Sequence, residues 1–251
     1  MTLHILGSSS HGNCYLLESD TGTLVIEAGI KFLEVKKALN FQIGKIIGAV
    51  ISHRHDDHAR YIGSIVTSGI LVMASRSTLE SKHLYGKPFT KEIKPMKGIK
   101  VSGFKIMPIP LTHSDTDGTP CDCLGFVIDH PESGRILFAT DTMKLDMTIP
   151  KLNHVMIEAN YSDEVIEDKI ESGEIPYFMR NRLLFSHMEL ETTKNVLLAN
   201  DLSGVNEIVL LHLSYNNSDA DMFKQRISEA TGKPTYIAEP GMKLDFSLLP
   251  Y

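Results

Sequence analysis

The stretch "ISHRHDDHAR", residues 51–60, places three histidines and two aspartates within positions 53–58. The run before it, Ile46-Ile47-Gly48-Ala49-Val50-Ile51, is short, apolar and partly β-branched, and reads as a buried strand. That strand stops at Ser52, and the following loop carries His53, His55, Asp57 and His58. Side chains alternate along extended backbone, so His53 and His55 point the same way. Asp57 and His58, entering the next turn or helix, can face the same space from the other side. Imidazole nitrogen and carboxylate oxygen are what zinc, manganese or iron accept. One surface histidine would mean little. Four such residues in the pattern His-x-His-x-Asp-His, at the end of a buried strand, point to metal binding.

Further ligand-type residues recur in the same kind of place. His113 lies just past Ile106-Met107-Pro108-Ile109 and is expected in a polar loop. Asp141 follows Ile136-Leu137-Phe138-Ala139-Thr140, and His212 follows Ile208-Val209-Leu210-Leu211. Each alone reads as a turn or cap residue. Together, in a chain that already carries the histidine motif, they extend it.

Composition sets the outer limits. A chain of 251 residues with 42% hydrophobic residues can bury a full core. Its longest apolar runs are too short to span a bilayer, and the start Met1-Thr2-Leu3-His4-Ile5-Leu6-Gly7 lacks a signal-peptide pattern. Cys14, Cys121 and Cys123 are an odd, sparse set with no second pair for a zinc knuckle. A reducing, cytoplasmic setting is expected, with no membrane partner. The formal charge of -6 argues against a large nucleic-acid footprint.

Strand patterns at Leu3–Leu6, Cys14–Leu17, Leu24–Ile26, 46–51 and Ile70–Met73 form one batch. A second comprises Ile99–Ile109, Gly125–Ile128, Ile136–Ala139, His154–Ile157, Ile208–Leu211 and Thr235–Ala238. Helical spacing appears at Lys31–Leu39 and near 59–67, 163–171, 189–200 and 219–230. Two batches of strands with interspersed helices predict an α/β chain of two sheets covered outside by helices. No repeat or linker divides it, so residues 1–251 are expected to form a single domain.

These residues resemble the metallo-β-lactamase-fold hydrolases over essentially the whole chain. The segments "LGSSSHGNCYLLE" (6–18), "LFATDT" (137–142) and "LLHLSYNN" (210–217) are similar to the WalJ (YycJ) branch and related firmicute phage and prophage hydrolases. The resemblance implies an αββα sandwich of two mixed β-sheets, with metals at one edge. It also implies that His53, His55 and His113 hold one divalent ion, and that Asp57, His58 and His212 hold a second. Asp141 then bridges them, zinc being the expected metal and manganese the other option. One departure is visible. Where many members have Asp-Ala-Gly after the early strand, this chain has Glu27-Ala28-Gly29, which bears on the support of the metal loop rather than on the ligands.

A two-metal site activates water and clamps the oxygens of an in-line displacement, so hydrolysis is the expected reaction, with Asp57 part of its catalytic apparatus. "IEANYS" (157–162) and "FSHMELET" (185–192) resemble the Glu- and His-containing segments of RNase Z-type phosphodiesterases. By that resemblance His187 protonates the leaving oxygen and Glu158 orients it. Ser186 followed by Glu189 also reads as a capping box, whose helix N-terminus would suit a phosphate.

Substrate contacts are expected from Tyr177, Arg180 and Arg182, which lie between those motifs, and from Ser214 beside His212. Lys82, Lys87, Lys91, Lys94, Lys97 and Lys100 read as a solvated loop and a lysine-guarded sheet edge, the other reading being a flank for phosphates. Asp115, Asp117 and Asp122 crowd the loop after His113, where duplex DNA would have to pass. The chain is also similar to anti-Pycsar phage enzymes, which implies hydrolysis of cyclic mononucleotides in an anti-defence role, in the host cytoplasm where phage-encoded. A WalJ-like DNA exonuclease is the alternative, with nucleic acid as substrate, and a non-catalytic binding module is the third reading. A homodimer is compatible with all three.

Overall fold

The computed structural model describes residues 1–115, 117–174 and 186–249. The candidate substrate residues Tyr177, Arg180 and Arg182 lie outside the described residues. The first sheet comprises β1 (Thr2–Gly7), β2 (Cys14–Ser19), β3 (Gly22–Ile26), β4 (Ile46–Val50), β5 (Val72–Ala74), β6 (Thr90–Glu92) and, from the far end of the chain, β14 (Lys243–Asp245). The second comprises β7 (Ile99–Val101), β8 (Phe104–Ser114), β9 (Pro120–His130), β10 (Gly134–Ala139), β11 (His154–Glu158), β12 (Glu207–Leu211) and β13 (Thr235–Ile237).

The strand orders are β14-β1-β2-β3-β4-β5-β6 and β13-β12-β11-β10-β9-β8-β7. In each sheet an antiparallel meander gives way to parallel pairing, from β3 onward in the first and from β10 onward in the second. The inner parallel strands β4, β5, β11 and β12 are largely buried on both faces, which is why their sequences run apolar without alternation.

Apolar side chains form three layers. Between the sheets, Leu3, Ile5, Tyr15, Leu17 and Ile26 of the first meet Phe104, Phe126, Ile136, Phe138 and Val209 of the second. Tyr15 and Phe138 pack edge to face, their centroids 5.5 Å apart. Outside the first sheet, Leu16, Val25, Ala49 and Val72 pack on α1 (Phe32–Ala38), α3 (Ile62–Thr67) and α4 (Arg76–Ser81). Outside the second, Leu137, Val155, Ile157 and Leu210 pack on Leu190 and Leu197 of α6 (Leu190–Leu198) and Phe223 and Ile227 of α7 (Ala220–Thr231). The fold is thus the expected αββα sandwich, completed by α2 (Asp56–Ala59) and α5 (Asp163–Glu171). No helix among the described residues is long and apolar enough to cross a membrane.

Several expectations need correction. His113 is not in a loop: β8 runs through it to Ser114, where Thr112, His113 and Ser114 pair with Asp122, Cys121 and Pro120. Pro108 and Pro110 sit in that strand because β7 pairs with β8 only from Phe104 to Ile106, leaving their outer side without a ladder partner. The segment 99–109 is therefore two strands with a turn at Ser102-Gly103, not one. The lysine stretch contains the short strand β6, and α4 before it is capped by Ser75, whose hydroxyl accepts from Thr78 N. β6 and β7 are each an edge strand of their sheet, so Lys91 and Lys100 stand where charge discourages edge pairing. The Ser186–Glu189 capping box does not form. Glu189 itself caps α6, accepting from Glu191 N and Thr192 N, so its carboxylate occupies the helix end proposed for a phosphate.

Candidate metal centre

All seven ligand-type residues meet at the edge where the parallel strands end. His53, His55, Asp57 and His58 follow β4, His113 comes from β8, Asp141 follows β10 and His212 follows β12. This is the end of an α/β sheet at which ligands generally bind. Three residues reach it through left-handed backbone: Glu27 (φ 68°) after β3, Asp141 (φ 48°) and His212 (φ 54°). None is glycine, so each conformation costs about 1–3 kcal/mol and is held by the structure around it.

The residues form two clusters. His55 Nδ1 lies 3.0 Å from His53 Nε2 and 3.1 Å from His113 Nε2. A tetrahedral zinc with bonds of about 2.0–2.1 Å has donor–donor edges of about 3.3–3.4 Å, so these nitrogens are spaced for one ion. In the second cluster, Asp57 Oδ2 is 3.4 Å from His58 Nε2 and 3.3 Å from His212 Nε2. Asp141 stands between. Its Oδ1 is 3.2 Å from His58 Nε2, and its Oδ2 is 4.0 Å from His53 Nε2. Burial would raise the Asp141 carboxyl, but His212 and His58 beside it hold it well below the usual range, so it is ionised.

The outer nitrogens of the rings are fixed as well, which selects the tautomer that turns the other nitrogen inward. His53 Nδ1 lies 2.8 Å from Ser52 Oγ, His55 Nε2 2.7 Å from Asp115 Oδ1, and His113 Nδ1 donates to the Ser186 carbonyl at 2.7 Å. Arg54 grips the same Asp115 carboxylate. His58 Nδ1 faces Glu27 Oε2 at 3.5 Å, and Glu27 also accepts from Ser52 N at 3.2 Å. Burial pushes the Glu27 carboxyl up, and His58 opposes this.

His187 and Glu158 join the same place. His187 Nδ1 is 2.6 Å from Glu158 Oε1 and 4.0 Å from Asp141 Oδ2. Glu158 is fully buried and also accepts from Thr142 N and Met188 N. Burial works against a charge on His187, but Glu158, Asp141 and Asp57 raise its pKa to about 9. Ser214, by contrast, is engaged by protein partners: its amide donates to the Asn160 carbonyl of the loop after β11, and its hydroxyl accepts from Asn217.

Sequence reasoning missed the residues that hold the loops. Asn13 donates to the Asp57 carbonyl from its backbone (2.7 Å) and from its side chain (3.3 Å). Ser8 accepts from His212 N at 3.0 Å and from the Tyr15 hydroxyl at 2.8 Å. The small-polar run "GSSSHGN" before β2 was the available signal. Gly29 completes this packing: a Cβ there would lie 1.7 Å from the Asp57 carbonyl oxygen and 2.6 Å from Asn13 N. Gly29→Ala should therefore displace the metal loop and weaken metal retention by about 10–100-fold. Wild-type retention against a chelator, at wild-type thermal stability, would contradict this packing.

Residues 23–213 match the family described as the β-lactamase superfamily domain. The chain is 23% identical to the exodeoxyribonuclease YycJ of Bacillus anthracis, over 91% of this chain and 89% of that one. Its fold resembles the metallo-β-lactamase fold protein YhfI of Bacillus subtilis, with a TM-score of 0.72 and 18% identity over 97% and 98% of the two chains. Human tRNase Z, short form, superimposes with a TM-score of 0.64 and 15% identity over 98% and 99%. With its His/Asp clusters gathered at one edge of two seven-stranded sheets, the chain is a metallo-hydrolase that belongs to the β-lactamase superfamily.

Proposed function

We propose that the protein is a two-metal phosphodiesterase acting on small nucleotide phosphodiesters, with cyclic mononucleotides as the leading substrate class and an anti-defence role in phage infection as the setting. The observation that carries the reading is the His187–Glu158 pair, 2.6 Å apart and set against Asp141. His53, His55 and His113 would hold one ion, Asp57, His58 and His212 the other, with Asp141 between them. Such a pair supplies an activated water and neutralises charge at phosphorus during in-line displacement. His187, with Nδ1 held by Glu158, keeps Nε2 for the leaving oxygen and gives it a proton as the P–O bond breaks. Glu158 is a positioning residue, pinned by two backbone amides so that it does not turn away.

Substrate size is argued from charge. Around the cleft, Arg54 is engaged by Asp115 and Lys82 by Asp56. Asp117 and Asp122 add negative charge to the same rim, which suits a substrate of one phosphate better than a duplex. The likeness to YycJ favours the second reading, an exonuclease taking a strand end into the same site.

Elemental analysis of the loaded protein should find two divalent ions per chain. Asp141→Ala should lower this content and remove more than nine-tenths of the activity; retention of both would count against the assignment. His187→Ala should keep the metal content while lowering turnover by about 10²–10⁴-fold. The loss should be much smaller on a nitrophenyl phosphodiester, whose leaving group needs no proton, and equal losses on both would make His187 structural.

Polymer binding through several phosphates weakens by orders of magnitude between about 50 and 200 mM salt. The KM for a cyclic mononucleotide should change only a few-fold over that range, and Lys91→Glu with Lys94→Glu should be nearly silent. Faster cleavage of DNA than of any cyclic nucleotide, abolished by those lysine changes, would decide for the exonuclease.

A further inference from the structure

The proposed reaction uses no sulfur, yet Cys121 borders the cleft. It lies on β9 directly across the ladder from His113. Its Sγ, a nitrogen of His55 and a carboxylate oxygen of Asp115 all lie within 4.8 Å of one another. His55 has two faces. Nδ1 joins His53 and His113, while Nε2 points away, 2.7 Å from Asp115 Oδ1. The outer trio therefore shares one ring with the metal centre and nothing else.

Its donors suit a particular class of ion. Thiolate with imidazole and carboxylate is a set that zinc and cadmium accept, whereas manganese and magnesium favour oxygen ligands. The side chains of His55 and Asp115 are 31% and 27% exposed, open to an ion from solvent, with Cys121 buried behind them. Asp115 and Asp122 bring negative charge to the thiol, which a bound cation would offset, and the Arg54 guanidinium opposes them.

We propose that Cys121, Asp115 and the outer nitrogen of His55 form a third cation site, for a soft divalent ion, through which excess zinc lowers activity. On binding, Cys121 Sγ–H and His55 Nε2–H each lose a proton to solvent as the bonds to the ion form. The ion takes the place of the His55–Asp115 hydrogen bond, which holds His55 toward the first cluster. The inhibitory part rests on the hydrolase reading above; the site itself does not.

Cadmium is the probe, because the seven residues of the main centre include no sulfur, so thiolate-to-cadmium charge-transfer absorption reports a cysteine. Wild-type protein titrated with Cd²⁺ should bind three equivalents and develop that absorption. Cys121→Ser and Cys121→Ala, checked for folding by thermal unfolding, should lose the absorption and one equivalent. Cys123→Ser should retain both, although its sulfur lies 3.7 Å from His53 Nδ1. Zn²⁺ beyond two equivalents should lower wild-type turnover several-fold and spare the Cys121 variants, whereas Mn²⁺ should not inhibit. Absorption that is absent from wild type, persists without Cys121 or disappears without Cys123 overturns the site. If the absorption behaves as expected but the two silent equivalents are missing, the two-metal reading fails and the third site stands.

Discussion

Imidazole nitrogens 3.0–3.1 Å apart repel through their lone pairs unless a proton or a cation lies between them. The arrangement of His53, His55 and His113 is thus one that a shared proton or a bound cation makes favourable. No single element could create it. His53 and His55 come from the loop after β4 in the first sheet, and His113 comes from β8 in the second. An ion bound there ties the two sheets at the same edge that their apolar layer joins from within. Ions that bind the folded state and not the unfolded chain add their binding free energy to stability.

The same constraint accounts for the backbone at the strand ends. Glu27, Asp141 and His212 all adopt left-handed φ, where a non-glycine side chain is disfavoured. Glycine would relieve the strain but would carry no ligand or supporting carboxylate. The chain keeps the side chains and holds the turns from outside. His212 N donates to Ser8, Glu27 N to the Val50 carbonyl, and the Asp141 carboxylate accepts from the Thr140 hydroxyl.

Much of this was legible because ligands follow buried strands, and buried strands announce themselves by apolar runs. Asp141, His212 and the motif at 53–58 all stand just past such runs. Local pattern places His113 in a loop because the strand that carries it ends in the polar residues Thr112-His113-Ser114. Its strand identity comes from pairing with residues 120–122, a contact no local pattern reveals. The His187–Glu158 pair was legible only through resemblance, since the partners are 29 positions apart. Asn13 and Asp115 were not assigned these roles. Asn13 acts by hydrogen bonds to the metal loop, and an asparagine or aspartate in a turn looks alike in sequence whether or not it supports a ligand.

Glu27 shows how a departure in sequence can be absorbed. Its carboxylate is fully buried, which would be costly without partners. It accepts from Ser52 N, the first backbone group past Ile51, and so fixes the point from which His53 leaves the strand. It also faces His58 Nδ1, which makes no hydrogen bond among the described residues. Were His58 Nε2 to hold a cation, its Nδ1–H would become a stronger donor toward that carboxylate. Glutamate carries its charge one methylene farther from the backbone than aspartate, and here that reach serves both the strand end of β4 and the ring of His58. Glu27 therefore couples the turn after β3 to the segment that carries His53 and His58.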